Sequence, residues 1–222
     1  MAKICPRWLW ALACLATASF ALAWSSKSFP PCEPIHQIAI ENVLSNQVPP
    51  DLIKVLQDQQ TVVDQDQQST NSFEHSMTGL AQAGETTNIE TPIYILETET
   101  FVHTNLALAI QDRKAGDTND AFICLGKAMH PLEDATSPSH KPFQAWKYNE
   151  GLWEEIVHVF HERSYPDSQS DTNQVEERVE LEGAVRYAYD IFMEKTKMPV
   201  QFFNHTNDLL ELPPVYLHAR NP

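Results

Sequence analysis

Apolar residues recur along most of this chain three and four positions apart, the spacing of helices that bury one face. This pattern predicts a helix over Ile35 to Leu44, introduced by Pro31 and Pro34. A second starts at Pro49-Pro50-Asp51 and runs through Leu52, Val55 and Leu56. It leads into a Gln- and Asp-rich stretch, 57–68, that reads equally as a solvated helix face or a loop. Turn chemistry follows at Ala83-Gly84 and Thr86-Thr87-Asn88. A third helix opens at Thr91-Pro92, since proline is tolerated in a first turn, and continues through Phe101, Leu106 and Ile110 to a stop at Gly116. Asp117 is placed to cap a fourth, from Asn119 to about Asp134. A fifth covers Leu152 to Arg163. A sixth spans Gln174 to Lys197, with Val175, Val179, Leu181, Val185, Ala188 and Ile191 as its main apolar positions. There are only 6 glycines, and no alternating apolar and polar run is flanked by turns, so strands find little place. Neither an internal repeat nor a second domain is visible. The expected architecture is a single all-α, multi-helix bundle-like domain.

The N-terminus departs from this periodicity. Met1 to Arg7 is basic, Trp8 to Phe20 is apolar, and Ala21-Leu22-Ala23 has the small-residue pattern of a cleavage site. Residues 1–23 therefore read as a signal peptide. The apolar stretch is short for a retained anchor, and a lipoprotein reading at Cys14 is disfavoured by Ala11 three residues before it. Cleavage after Ala23 leaves Trp24 to Pro222, 199 residues, enough for one domain with a core. The expected location is secreted or periplasmic.

Processing sharpens the charge and cysteine readings. Loss of Lys3 and Arg7, with no acid, takes the formal charge from −15 to −17. So acidic a protein is poorly suited to holding a polyanion, since phosphate binding leans on Lys and Arg; no stable nucleic-acid binding is expected. Bound divalent cations would offset part of the charge locally. Cys5 and Cys14 leave with the leader, while Cys32 and Cys124 remain. Export permits a disulfide between them, and the apolar helical setting of Cys124 equally suits a buried free thiol.

The chemistry concentrates between positions 130 and 162. His130 and Asp134 are four apart on a predicted helix, so they share a face and can reach one ion. Pro138 disfavours helix at the residue before it, so the chain can turn and present His140. His158 and Glu162 form a second pair at the same spacing. Imidazole and carboxylate are the ligands of hydrolytic zinc sites. A single such pair is ordinary on a solvated helix; two pairs plus His140 make a metal site a serious reading.

The run Leu125-Gly126-Lys127-Ala128-Met129-His130, followed by Asp134, Pro138 and His140, resembles the signature of bacterial zinc-dependent phospholipases C. Their superfamily includes single-strand-specific zinc nucleases. His158-Val159-Phe160-His161-Glu162 is similar to the next His-x-x-x-Glu of the family, where the nuclease branch typically carries Asp. The family also uses its mature N-terminus as a ligand, a Trp whose amino nitrogen and carbonyl oxygen bind metal. The expected cleavage exposes Trp24, and His36 follows 12 residues later, where the family places a His. Leader and ligand thus point to the same residue.

The resemblance implies three zinc ions. One would be held by Asp64, His75, His130 and Asp134. A second would be held by His140, His158 and Glu162. The third would be held by Trp24 and His36, with Asp134 bridging. His75 is the best-placed histidine between the first helix and the signature, and Asp64 fits the preceding acid, with Asp66 and Asp58 as alternatives. His103 reads as a packing or surface residue in mid-helix, His161 as a neighbour by sequence only, and His205 and His218 as solvated tail residues. Two positions depart from the better-known enzymes: Pro131 and Glu133 stand where an aromatic and a glycine are often found. Pro131 lacks an N–H, so a kinked or shortened helix is expected there.

The activity implied is phosphodiester hydrolysis, a phospholipase C cleaving phospholipid to diacylglycerol and a phosphorylated head group during transient contact with a membrane surface. Asp64 is the candidate for orienting or deprotonating the attacking water. The alternatives are a single-strand-specific zinc nuclease on the same scaffold and a secreted protein that holds metal only for stability. Head-group preference and oligomeric state leave no trace in the motif.

Overall fold

The computed structural model describes residues 34–65, 69–80, 91–146, 165, 166 and 170–218. The leader, Trp24, Cys32, the turn at 83–88, Asp66 and the expected fifth helix with His158, His161 and Glu162 lie outside the described residues. What is described is mainly helical: α1 (Ile35–Leu44), α2 (Pro50–Asp64), α3 (Thr91–Ala115), α4 (Thr118–Asp134) and α5 (Thr172–Phe192), with short 3₁₀ turns at Ser69–His75 and Pro214–Tyr216. Among these residues no helix is long and apolar enough to cross a membrane.

α4 is the axis of the fold. It packs against α2, α3 and α5, and its second half is buried on nearly every side: Leu125, Gly126 and every residue from Ala128 to Asp134. Leu125, Met129 and Leu132 meet a core that includes Leu106, Val185 and Phe192. Against this apolar surround, His130, Glu133 and Asp134 on the same helix are fully buried. Pro131 does not shorten α4, contrary to expectation. The helix runs on to Asp134, and the Pro131 carbonyl accepts bonds from Ala135 N–H at 3.0 Å and from Ser76 Oγ at 2.6 Å. Asp117 occupies the N-cap position, but its side chain makes no capping bond; its carbonyl accepts from Ala121 N–H instead.

α1 buries two adjacent i,i+4 rows, Ile35-Ala39-Val43 and His36-Ile40-Leu44. His36 therefore sits at a core position of a helix that is otherwise apolar on that side. α2 accounts for most of the ambiguous 57–68 stretch, of which 57–65 are described. The helix continues through it to Asp64, and Gln59, Gln60 and Asp64 extend inward the row begun by Ile53 and Leu56. Gln59 and Gln60 are thus neither loop nor solvated face, while Gln65, just past the helix end, is exposed. α2 and α4 approach closely at Gly126, where a Cβ would lie 2.8 Å from Gln59 Cβ.

α5 ends at Phe192, short of the expected Lys197. Glu194 takes a left-handed conformation (φ 56°), Lys195 N–H turns back to the Asp190 carbonyl, and the Glu194 carboxylate meets Arg113 and Lys114, each at 2.7 Å. At its other end Asp171 accepts from Asn173 N–H, a side-chain cap. Two small strand pairs also form. β1 (Thr78–Leu80) lies parallel to β2 (Ala145–Trp146), and β3 (Phe203–Asn204) antiparallel to β4 (Leu209–Leu210). No alternating pattern announces strands of two or three residues. The first pair has a consequence for the site, because it ties the segment after His75 to the segment after His140.

Candidate metal centre

Five side chains from four segments converge at the C-terminal end of α4. α1 supplies His36, α2 supplies Asp64, the 3₁₀ turn ends on His75, and α4 supplies His130 and Asp134. Each is buried, the most exposed being Asp64 at 6%. His130 Nε2 lies 3.4 Å from Asp64 Oδ1, 3.0 Å from His75 Nδ1 and 3.2 Å from Asp134 Oδ2, and His75 Nδ1 lies 3.1 Å from the same Oδ2. Ligands about 2.0–2.1 Å from a tetrahedral zinc stand about 3.3 Å apart. Four edges of this cluster thus have the length a four-coordinate ion requires.

The other oxygen of Asp134 meets a third histidine, whose ring lies 4.5 Å from that of His130. Oδ1 lies 3.2 Å from His36 Nε2. Both atoms are buried and neither is hydrogen-bonded, an uncommon cost for polar groups in a packed interior. Among the described residues, two sets therefore bring their donor atoms close enough to hold an ion: His36, His130 and Asp134, and Asp64, His75 and His130.

Three imidazoles are oriented from behind. His36 Nδ1 lies 2.6 Å from Glu133 Oε2, His130 Nδ1 lies 2.7 Å from Gln60 Oε1, and His140 Nδ1 donates to the His75 carbonyl at 2.5 Å. Such bonds hold a proton on Nδ1 and leave Nε2 to bind metal. Gln60 is itself fixed, its Nε2 donating to Gly126 O at 3.2 Å and facing Glu133 Oε1 at 3.4 Å. The electrostatics are those of an over-acidic pocket. Burial opposes a charge on His36, yet Glu133 and Asp134 beside it hold its pKa well above the usual histidine range. Burial, opposed by Asp134, lowers that of His130. Burial pushes Glu133 up to about 7, although His36 pulls the other way. Burial would raise Asp134, but the surrounding histidines, His130 first, hold it well below the carboxylate range. Burying three carboxylates is expensive, at several kcal/mol per ion. Such a cluster is a poor device for stability alone, and its N and O donors suit a divalent transition ion.

Of the residues singled out from the sequence, His36, Asp64, His75, His130 and Asp134 come together here. His140 is brought alongside through the His75 carbonyl. Trp24, His158 and Glu162 lie outside the described residues. Asp58, an alternative to Asp64, is exposed on the outer face of α2, where it pairs with Lys54 at 2.8 Å. His103 packs its ring against Phe202 and places Nδ1 2.9 Å from Met198 Sδ. His205 is exposed, as expected of a tail residue, with Nε2 3.3 Å from Glu99 Oε2. Cys124 is a free, half-buried thiol 3.9 Å from Asp112 Oδ2.

Two participants escaped the sequence reading. Gln60 carried a signal: it lies one turn before Asp64 and one turn after Leu56, a polar residue at a core position. Glu133 was visible only as a departure from a motif. No family model, curated protein or solved structure matches this chain.

Proposed function

We propose that this protein is an exported zinc-dependent phosphodiester hydrolase, a phospholipase C that releases diacylglycerol and a phosphorylated head group. The observation that carries the reading is the Asp134 carboxylate, which turns one oxygen to the His75–His130 pair and the other to His36. A carboxylate so shared suits two neighbouring ions, the arrangement that phosphate-ester hydrolysis exploits. The resemblance over residues 125–140 and the excess of acid over base support the same assignment.

In this proposal Asp64, His75, His130 and Asp134 hold one ion, and His36 with Asp134 holds part of another, completed by Trp24 once the leader is removed. His140, His158 and Glu162 hold the remaining one. Zinc bound there would supply Lewis acidity toward the phosphate oxygens and an acidified water at neutral pH. Asp134 is committed on both oxygens, whereas Asp64 is the carboxylate nearer solvent, its side chain 4% exposed against 0%. Asp64 is therefore the group to orient the attacking water and receive its proton. His36 and His130, held by Glu133 and Gln60, keep their donor atoms in place without rearrangement.

The test is hydrolysis of phosphatidylcholine vesicles by purified protein, with zinc content and N-terminal mass measured on the same sample. Diacylglycerol release that stops on chelation and returns with zinc supports the proposal. Cleavage of single-stranded DNA with lipid untouched would assign the nuclease activity instead. Zinc binding with neither activity would make the metal structural, and intact Met1 on active protein would remove Trp24 from the site.

A further inference from the structure

Behind the donor atoms runs a second line of contacts. His36 Nδ1 meets Glu133 Oε2 at 2.6 Å, Glu133 Oε1 faces Gln60 Nε2 at 3.4 Å, and Gln60 Oε1 meets His130 Nδ1 at 2.7 Å. All four residues are buried. The two histidines are thus joined twice, by Asp134 on the donor side and by Glu133 and Gln60 on the far side. The polarity of this line is determined throughout. Gln60 Nε2 donates to Gly126 O, so its Oε1 must face His130 and accept, placing a proton on His130 Nδ1. Glu133, an acceptor when ionised, receives from His36 Nδ1. Both rings are left with Nε2 toward Asp134.

We propose that Glu133 and Gln60 are positioning residues that lock both imidazoles in the metal-binding tautomer, and that Glu133 in addition strengthens ligation by His36. The proposal rests on the reading of the cluster as a metal centre. The asymmetry of the line carries its second half: His36 is backed by a carboxylate and His130 by a neutral amide, and a carboxylate partner makes an imidazole the stronger ligand. It also accounts for a fully buried acidic side chain whose carboxylate meets His36 on the side away from Asp134.

The experiment is a swap. Glu133→Gln should weaken zinc binding on the His36 side by about 10- to 100-fold, the range for loss of such an outer partner, with the His130 side changed far less. The double variant Glu133→Gln with Gln60→Glu moves the carboxylate behind His130. Gln at 133 can still accept from His36 and donate to Glu at 60, which then receives from His130 but gives up the bond to Gly126 O, so both affinities fall and their ratio is what the swap reads. The stronger position should move to the His130 side. Chelator competition gives the two affinities, and ¹⁵N shifts of the two imidazoles in zinc-loaded protein identify which is which. Affinities in Glu133→Gln within twofold of the parent, or a double variant in which the ratio of the two affinities does not move toward the His130 side, would overturn the proposal. In unmodified protein stripped of zinc, His130 should appear as the neutral Nδ1–H tautomer; an Nε2–H tautomer overturns the relay whether or not any variant folds. A parent that binds no zinc but shows this tautomer would end the metal reading and the claim about ligation, leaving the locked tautomer established.

Discussion

Asp134 Oδ1 faces His36 Nε2 at 3.2 Å, while its Oδ2 lies 3.1 Å from His75 Nδ1 and 3.2 Å from His130 Nε2. Asn at this position offers a single oxygen, so one histidine group must face an NH₂ that cannot ligate. Asp134→Asn should therefore lose at least one zinc and weaken what remains, whereas Asp64→Asn, which touches the quartet alone, should leave the His36 position filled. Elemental analysis after dialysis against a mild chelator distinguishes them. Equal zinc content in both variants would show that Asp134 is not shared.

The close approach of α2 and α4 sets the position of Asp64 and Gln60. A Cβ on Gly126 would stand 2.8 Å from Gln59 Cβ and 3.0 Å from its Cγ, next to the backbone and unable to swing aside. Gly126→Ala gains about 1 kcal/mol in helix propensity and loses about 1–3 kcal/mol to overpacking. A net destabilisation of about 1 kcal/mol is expected in urea unfolding, with zinc affinity reduced as α2 is pushed away. A variant more stable than the parent, with unchanged affinity, would mean that the helices separate freely.

Alkaline stability follows from the tyrosines. Burial, with Asp190 beside the hydroxyl, pushes Tyr216 up to about 12. Burial and Glu182 raise Tyr165 further, and burial also raises Tyr187 and Tyr189. In the unfolded chain these phenols ionise near pH 10. The folded state binds the proton more tightly, so its contribution is complete below about pH 10 and is lost as pH rises from there toward the folded values. The urea midpoint should fall across that window. Tyr216→Phe, which has no proton to lose, should show a shallower fall; an unchanged slope would rule out Tyr216 as a contributor.

The helices were legible because burial here follows helical spacing almost everywhere, and α1 and α3 begin and end where the periodicity places them. The errors fall where a local rule met a tertiary one. α5 stops early because Glu194 is drawn out to Arg113 and Lys114, two residues on α3 that no local pattern connects to it. The 57–68 stretch was ambiguous because a buried glutamine and a solvated one look alike in sequence; only the arrival of α4 gives Gln60 its partners. Among the site residues, the His130–Asp134 pair declared itself by spacing. His36 and Asp64 became candidates through resemblance, since one histidine in an apolar row and one acid among several carry no such mark. Glu133 could not be understood until His36 was seen against it.

The C-terminal segment is held by one buried carboxylate on α3. Glu99 Oε1 accepts from the backbone N–H groups of Phe202 and Phe203 at 3.0 and 3.2 Å, and Glu99 itself is 5% exposed. The segment matters to the site because the Phe203 ring packs against Phe143 at 4.9 Å, and Phe143 lies in the loop that carries His140. Glu99→Ala leaves two buried donors unmet, at about 1–3 kcal/mol each, so a loss of about 2–6 kcal/mol is expected. Glu99→Gln keeps an oxygen for both donors and should lose about half as much. Hydrogen exchange at the Phe202 and Phe203 amides should quicken strongly in the alanine variant and weakly in the glutamine one. Exchange that stays slow in Glu99→Ala would show that the aromatic packing holds the segment without the carboxylate.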